Sequence, residues 1–170
     1  MKKTWYWILL LISSWLLIPF VSYAKNNVSV TIPVTVEISE IFELTINPDY
    51  IDFEKLENGE TSKEKNILVK AKSNCGKNIC LQIKGENFIN PQLQILEIEN
   101  IEMRNKLIEG HGKVVDLPQL KENYQKFAQS KFGINQYVYS TVDTFYTLTI
   151  PEDSLAGIYK TILTITMTEK

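Results

Sequence analysis

The stretch V-S-V-T-I-P-V-T-V-E-I-S-E-I-F-E-L-T-I, Val28 to Ile46, decides how this chain is read. Val28, Val30, Ile32, Val34, Val36 and Ile38 share one parity, and Ser29, Thr31, Pro33, Thr35 and Glu37 share the other. A β-strand points successive side chains to opposite faces, so this spacing predicts a strand with one apolar and one wet face. Fully burying six such side chains is worth roughly 9–18 kcal/mol as an upper bound. Left bare, the strand is a template for aggregation. It therefore has to lie against a sheet, either in its own domain or in a neighbouring molecule. A helix here, or valines and isoleucines in water with no sheet beside them, would count against the whole reading.

The residues before this stretch read as an export signal. Lys2 and Lys3 give a positive start, an apolar run extends from Trp5 to Val21, and Ser22-Tyr23-Ala24 supplies small residues before a cut. Ser13, Ser14 and Pro19 interrupt the run, which at about 17 residues is at the lower limit for crossing a membrane. The expectation is a helical signal peptide over 1–24 and one domain over 25–170, with membrane contact only during export. Removing Lys2 and Lys3 leaves 16 of the 18 basic residues against 20 acidic ones, a net charge of about −4. With no basic patch, nucleic acid is not an expected partner.

Beyond Ile46 the chain alternates short apolar runs with turn formers. Tyr50-Ile51-Asp52-Phe53 reads as a short strand, Ile67 to Ala71 as another, and Ile79 to Lys84 as a third, the last two forming a hairpin. Gln92 to Met103 fits one strand or two short ones, and Glu109-Gly110-His111-Gly112 a flexible loop. Asp116 to Ser130 carries Leu117, Leu120, Tyr124 and Phe127 at helical spacing, with Asp116 as cap and Pro118 in the first turn. Tyr137 to Ser140, Phe145 to Ile150 and Tyr159 to Thr168 are further strands. The fold expected is mainly β, an antiparallel immunoglobulin-like sandwich with one inserted helix.

Export implies an oxidising compartment, so Cys75 and Cys80, which flank a Gly-Lys-Asn-Ile turn, are expected to form a disulfide pinning the hairpin end. Four intervening residues, with no histidine or third cysteine nearby, do not suit a redox or metal pair.

Catalytic constellations are absent from the pattern. His111 is the only histidine, so neither a histidine-dependent triad nor a multi-histidine metal site can be assembled. Asp49, Asp52 and Glu54 read as a solvated rim, without the spacing of a calcium loop. Tyr137, Tyr139, Phe145 and Tyr146 read as core or cross-strand aromatics. Asn27-Val28-Ser29 matches the glycosylation triplet, a short and unspecific signal. No enzymatic activity, metal or cofactor is expected.

Two places carry a resemblance. Tyr50-Ile51-Asp52-Phe53 through Gly59, followed by Ile67 to Asn74, resembles a run found in secreted bacterial immunoglobulin-like sandwiches, including WxL surface proteins and spore-coat-U-type domains. Leu148 to Thr166, with Pro151, Ala156-Gly157 and Tyr159, resembles the closing hairpin of the same group and of chaperone–usher pilus subunits. The Trp-x-Leu signature itself is missing. The resemblance implies an exported, fimbrial or coat-like structural subunit at the cell surface. In the pilus family a neighbour's N-terminal extension fills a groove left by a missing strand. Val28, Val30, Ile32, Val34, Val36 and Ile38 would be donated, and Leu163, Ile165 and Met167 would line the receiving groove. The implied partners are other copies of the chain or related subunits and, on the way out, a periplasmic chaperone. The alternative is a self-contained adhesion or binding module, with Val28 to Ile38 at the edge of its own sheet, where Pro33 is tolerated.

Overall fold

A computed structural model of the chain describes residues 29–130 and 138–170. The expected signal peptide, Asn27, Val28 and Tyr137 lie outside them. The chain divides into two units, 1–37 and 38–170, each described by itself. In the first, Ser29 to Glu37 form no strand.

The second unit is built from antiparallel strands. One four-stranded sheet runs in the order β1 (Phe42–Asn47), β2 (Lys65–Ser73), β9 (Val138–Leu148), β6 (Ile101–Gly110). The other runs β10 (Leu163–Glu169), β3 (Ile79–Gly85), β8 (Gln125–Ser130), β7 (Gly112–Val114). A small ribbon pairs β4 (Phe88–Ile89) with β5 (Ile95–Leu96). Alternation drives this arrangement. Val69 and Ala71 of β2, Met103 of β6 and Val142 and Tyr146 of β9 share one core with Leu81 and Ile83 of β3, Phe127 of β8 and Met167 of β10.

Several expectations are corrected. The long opening strand is reduced to Phe42–Asn47, and Ser29 to Ile41 form no strand. Val30, Ile32, Val34, Val36 and Ile38 are 77–88% exposed. Bare valines and isoleucines are the outcome set out above as counting against the opening reading, and they are what this stretch shows.

The expected hairpin is not one, since β2 and β3 belong to different sheets. Both strands carry an apolar face, Ile67, Val69 and Ala71 on one and Ile79, Leu81 and Ile83 on the other. Placing them in separate layers lets both faces enter the same core. Asn74 to Asn78 is thus a crossover between layers, turned by Gly76 at φ 78°.

The inserted helix is absent, and the segment becomes an irregular run followed by β8. The backbone groups that a helix would pair internally are taken elsewhere. Met103 and Leu117 exchange N–H···O bonds of 2.8 and 2.7 Å, and Leu120 N donates to Ile101 O at 2.9 Å. The expected cap, Asp116, accepts from Asn105 N across the chain.

Tyr50 to Phe53 is extended chain without strand pairing, β9 runs unbroken where two strands were expected, and the last strand begins at Leu163 rather than Tyr159. Gly110-His111-Gly112 is a corner rather than a flexible loop. Gly110 ends β6 opposite Ser140, and Gly112 opens β7 opposite Ser130, so the chain changes sheets at His111. A Cβ on Gly110, at φ 96°, would fall on the Tyr139 carbonyl oxygen, and one on Gly112 would fall on that of Gln129.

The expected disulfide is corrected as well, because both thiols are free. Cys80 lies on the parity of β3 opposite to Ile79 and Leu81, in register with Gln129 and Thr168 and 1% exposed. Cys75 sits in the crossover, its Sγ 2.9 Å from Glu40 Oε1. That contact holds the Cys75 thiol above its ordinary pKa, since a neighbouring carboxylate disfavours the thiolate. Native protein should therefore be alkylated slowly at Cys75 and not at Cys80. Denatured, unreduced protein should take up two labels, and mass spectrometry reads the difference.

Candidate functional site

β1 and β10 are each the last strand of their sheet. Their unpaired edges border a groove of about 1310 Å³. Glu86 N donates to Ile162 O and Lys170 N to Asn78 O, so the even-numbered residues of β10 bond to β3. The N–H and C=O groups of Leu163, Ile165 and Met167 are thereby left on the open edge. Asn74 N donates to Ile41 O, which by the same alternation leaves those of Phe42, Leu44 and Ile46 on the open edge of β1. Two rows of unused backbone groups thus border one apolar trough.

The floor of the groove is core. Ile67, Ile101, Tyr146 and Leu148 line it and are buried, while Leu44, Leu163 and Ile165 are partly buried on its walls. One end is rimmed by Tyr50, Leu155, Ile158 and Ile162, which are all largely exposed. The other end carries the Cys75 cluster. Glu40, Cys75 and Glu169 bring their ligand atoms within 4.8 Å of one another, and Lys77 Nζ lies 2.7 Å from Glu169 Oε2. The Lys77 ammonium holds the Glu169 carboxyl below the usual carboxylate range.

Of the residues expected to form the interface, Leu163 and Ile165 line the groove, whereas Met167 is buried in the core beside it. Val28 lies outside the described residues. Sequence reasoning missed the β1 wall, Leu44 and Ile46, because it merged these residues with the preceding stretch. It also missed the rim, whose signal is the apolar crowding of Leu155, Ile158, Ile162 and Leu163 in a segment read as connection and strand. Of the aromatic group, Tyr146 is in the core, while Tyr139 and Phe145, on the opposite parity of β9, are half-buried. The Phe145 ring lies 5.7 Å from the Arg104 guanidinium. Asp52 accepts a hydrogen bond from Glu54 N, and Glu54 pairs with Lys65.

Tyr146 gives the groove floor a measurable signature. Its hydroxyl shares a 3.2 Å hydrogen bond with Thr144 Oγ1. Burial pushes its pKa from 10.0 to about 12. The neutral phenol's contribution is complete below pH 10 and is lost as the pH rises toward 12. At 1.36 kcal/mol per pH unit the loss is about 3 kcal/mol. Urea titrations at pH 10 and 12 should show Tyr146→Phe losing less stability over that interval than the unaltered chain.

No family model and no curated protein sequence matches the chain. Among solved structures, a family 123 glycoside hydrolase from Clostridium perfringens, studied for glycolipid glycan hydrolysis, overlaps it with a TM-score of 0.40 and 16% identity. The overlap covers 66% of this chain and 19% of that one, so this chain spans about a fifth of the hydrolase. The expectation of a chain without enzymatic activity is not upheld: the structure found to overlap is an enzyme's. At this TM-score and identity the overlap carries no activity, substrate or site over to this chain.

Proposed function

We propose that the chain is an exported immunoglobulin-like β-sandwich subunit that joins copies of itself by strand addition. The segment Val28 to Ile38 of one copy fills the groove between β1 and β10 of the next. The observation that carries this reading is the pairing of a need with a vacancy. An alternating apolar segment forms no strand in the single chain, and two strand edges flank an apolar groove. An added strand would meet unused N–H and C=O groups on both sides and set its valines and isoleucines over the groove floor. Their burial, roughly 9–18 kcal/mol at most, is comparable with the roughly 4–15 kcal/mol that association costs. A periplasmic chaperone would cover the same groove before assembly.

Pro33 suits an edge strand better and costs this placement one bond. With the Val and Ile side chains inward, their N–H groups all face the antiparallel neighbour, whichever way the strand runs. Pro33 has the other parity, so its missing N–H removes one bond from the parallel side only.

The test is a fluorescein-labelled peptide of residues 28–38 added to the chain. Saturable binding is expected, with loss of binding when Ile32 and Pro33 are exchanged and Val34 and Thr35 are exchanged, which breaks the alternation at constant composition. Equal binding of both peptides, or of neither, would end the proposal.

A further inference from the structure

We infer that strand addition is accompanied by a second contact between copies: Ile41 and Phe42 of the donor pack on the apolar rim formed by Leu93, Ile95 and Ile158 of the acceptor. This inference rests on the strand-addition reading and adds to it a surface and its occupant.

The exit of the donor segment is gripped. Asn74 uses both ends of its side-chain amide, accepting from Ile41 N at 2.6 Å and donating to Ser39 O at 2.9 Å. The thiol of Cys75 holds Glu40 between them. Only Ser39, Glu40 and Ile41 separate Ile38 from β1, a reach of about 10 Å even when fully extended. A donor whose Ile38 lies at a groove mouth must therefore bring its own Asn74 end against the acceptor. Beside that exit Ile41 and Phe42 are two-fifths exposed, and neither lines the groove.

The register of the strands tells which mouth is met. Phe42 and Glu169 lie at the same end of the sheets, where the acceptor's own exit and the Glu40–Cys75–Glu169 cluster sit. The opposite end remains for the donor's body. Gly85 pairs with Leu163 at that end, and the chain from Glu86 to Asn100 turns there. It carries the β4–β5 ribbon, which is bonded to the rim through Ile89 and Lys160.

The ribbon tip is held by hydrogen bonds to one buried side chain. The Asn90 side chain is buried, and its Oδ1 accepts from Gln92 N and Gln94 N at 3.0 and 2.8 Å. This turn holds Leu93 at φ 62°, 80% exposed. A leucine in the left-handed region costs free energy, and here it presents an apolar side chain to solvent. Ile95 and Ile158 are likewise mostly exposed. The donor's Ile41 and Phe42 supply the apolar surface that short linkage brings to this place. The contact is head-to-tail, so it propagates along an assembly rather than closing a pair.

Two measurements separate this contact from the groove. Leu93→Asn with Ile95→Thr alters the rim, and asparagine accepts the left-handed conformation. Ile41→Ser alters the donor side. In sedimentation equilibrium either change should weaken self-association of the full chain at least tenfold. The labelled 28–38 peptide, which lacks Ile41 and Phe42, should bind both variants within twofold of the unaltered chain. Unchanged self-association with intact peptide binding overturns the second contact and leaves strand addition standing. A parallel loss of peptide binding in the rim variant also overturns it, since the ribbon would then only support the groove. Failure of the peptide to bind the unaltered chain removes strand addition and this contact together.

Discussion

A chain carrying Ile32→Asp and Val34→Asp stays folded and stops assembling. Both residues are more than three-quarters exposed in the single chain, so the subunit loses no packing. Its melting temperature should move by no more than about 2 °C, as expected for a surface change within about 0.5 kcal/mol. In the assembly each side chain would lie over the core floor, where burial is worth roughly 1.5–3 kcal/mol. Losing two such contacts comes to about 3–6 kcal/mol, or on the order of a hundredfold to ten-thousandfold in association. Placing unpaired carboxylates there costs more again. Light scattering on eluted protein should show higher-order species for the unaltered chain and monomer for the variant. A monomeric unaltered chain at micromolar concentration would end the assembly reading.

Phe127→Ala should strongly destabilise the second unit. Phe127 is fully buried on β8, within the core shared by both sheets. Truncating such a ring costs about 3–5 kcal/mol in lost transfer and cavity terms. Against a total of about 5–15 kcal/mol, that lowers the melting temperature by about 10–20 °C. Tyr124→Ala should cost less than about 1 kcal/mol, because Tyr124 is half exposed. The contrast matters because helical spacing would have put both residues on one buried face. Calorimetry of the two variants distinguishes the arrangements.

Much of the β architecture was legible because alternation is local. Ile67, Val69 and Ala71, or Ile79, Leu81 and Ile83, announce their inward face without reference to other strands. Which strand lies beside which is not local. The five residues between β2 and β3 suit a hairpin as well as a crossover, and only the need to bury both apolar faces in one core decides. Leu117, Leu120 and Phe127 showed helical spacing by coincidence. All three are buried, but the first two are anchored to the edge of β6 by backbone bonds that no sequence pattern displays. The cysteines misled through proximity in sequence, since parity places Cys80 away from the core-facing side of β3. Half of the groove was visible in Leu163 and Ile165. The other wall and the rim were not, because they depend on which edges remain unpaired after the sheets have formed.

The corner at Gly110-His111-Gly112 bears on how this chain can vary through descent. The sites that side chains at 110 and 112 would occupy are already filled by carbonyl oxygens of β9 and β8. Every amino-acid substitution at either position adds at least a methyl group, so none is accommodated without a shift of backbone. His111 between them is not enclosed in this way. Divergent kin that keep this fold should retain both glycines through drift that erases most other identities, while the residue between them changes freely.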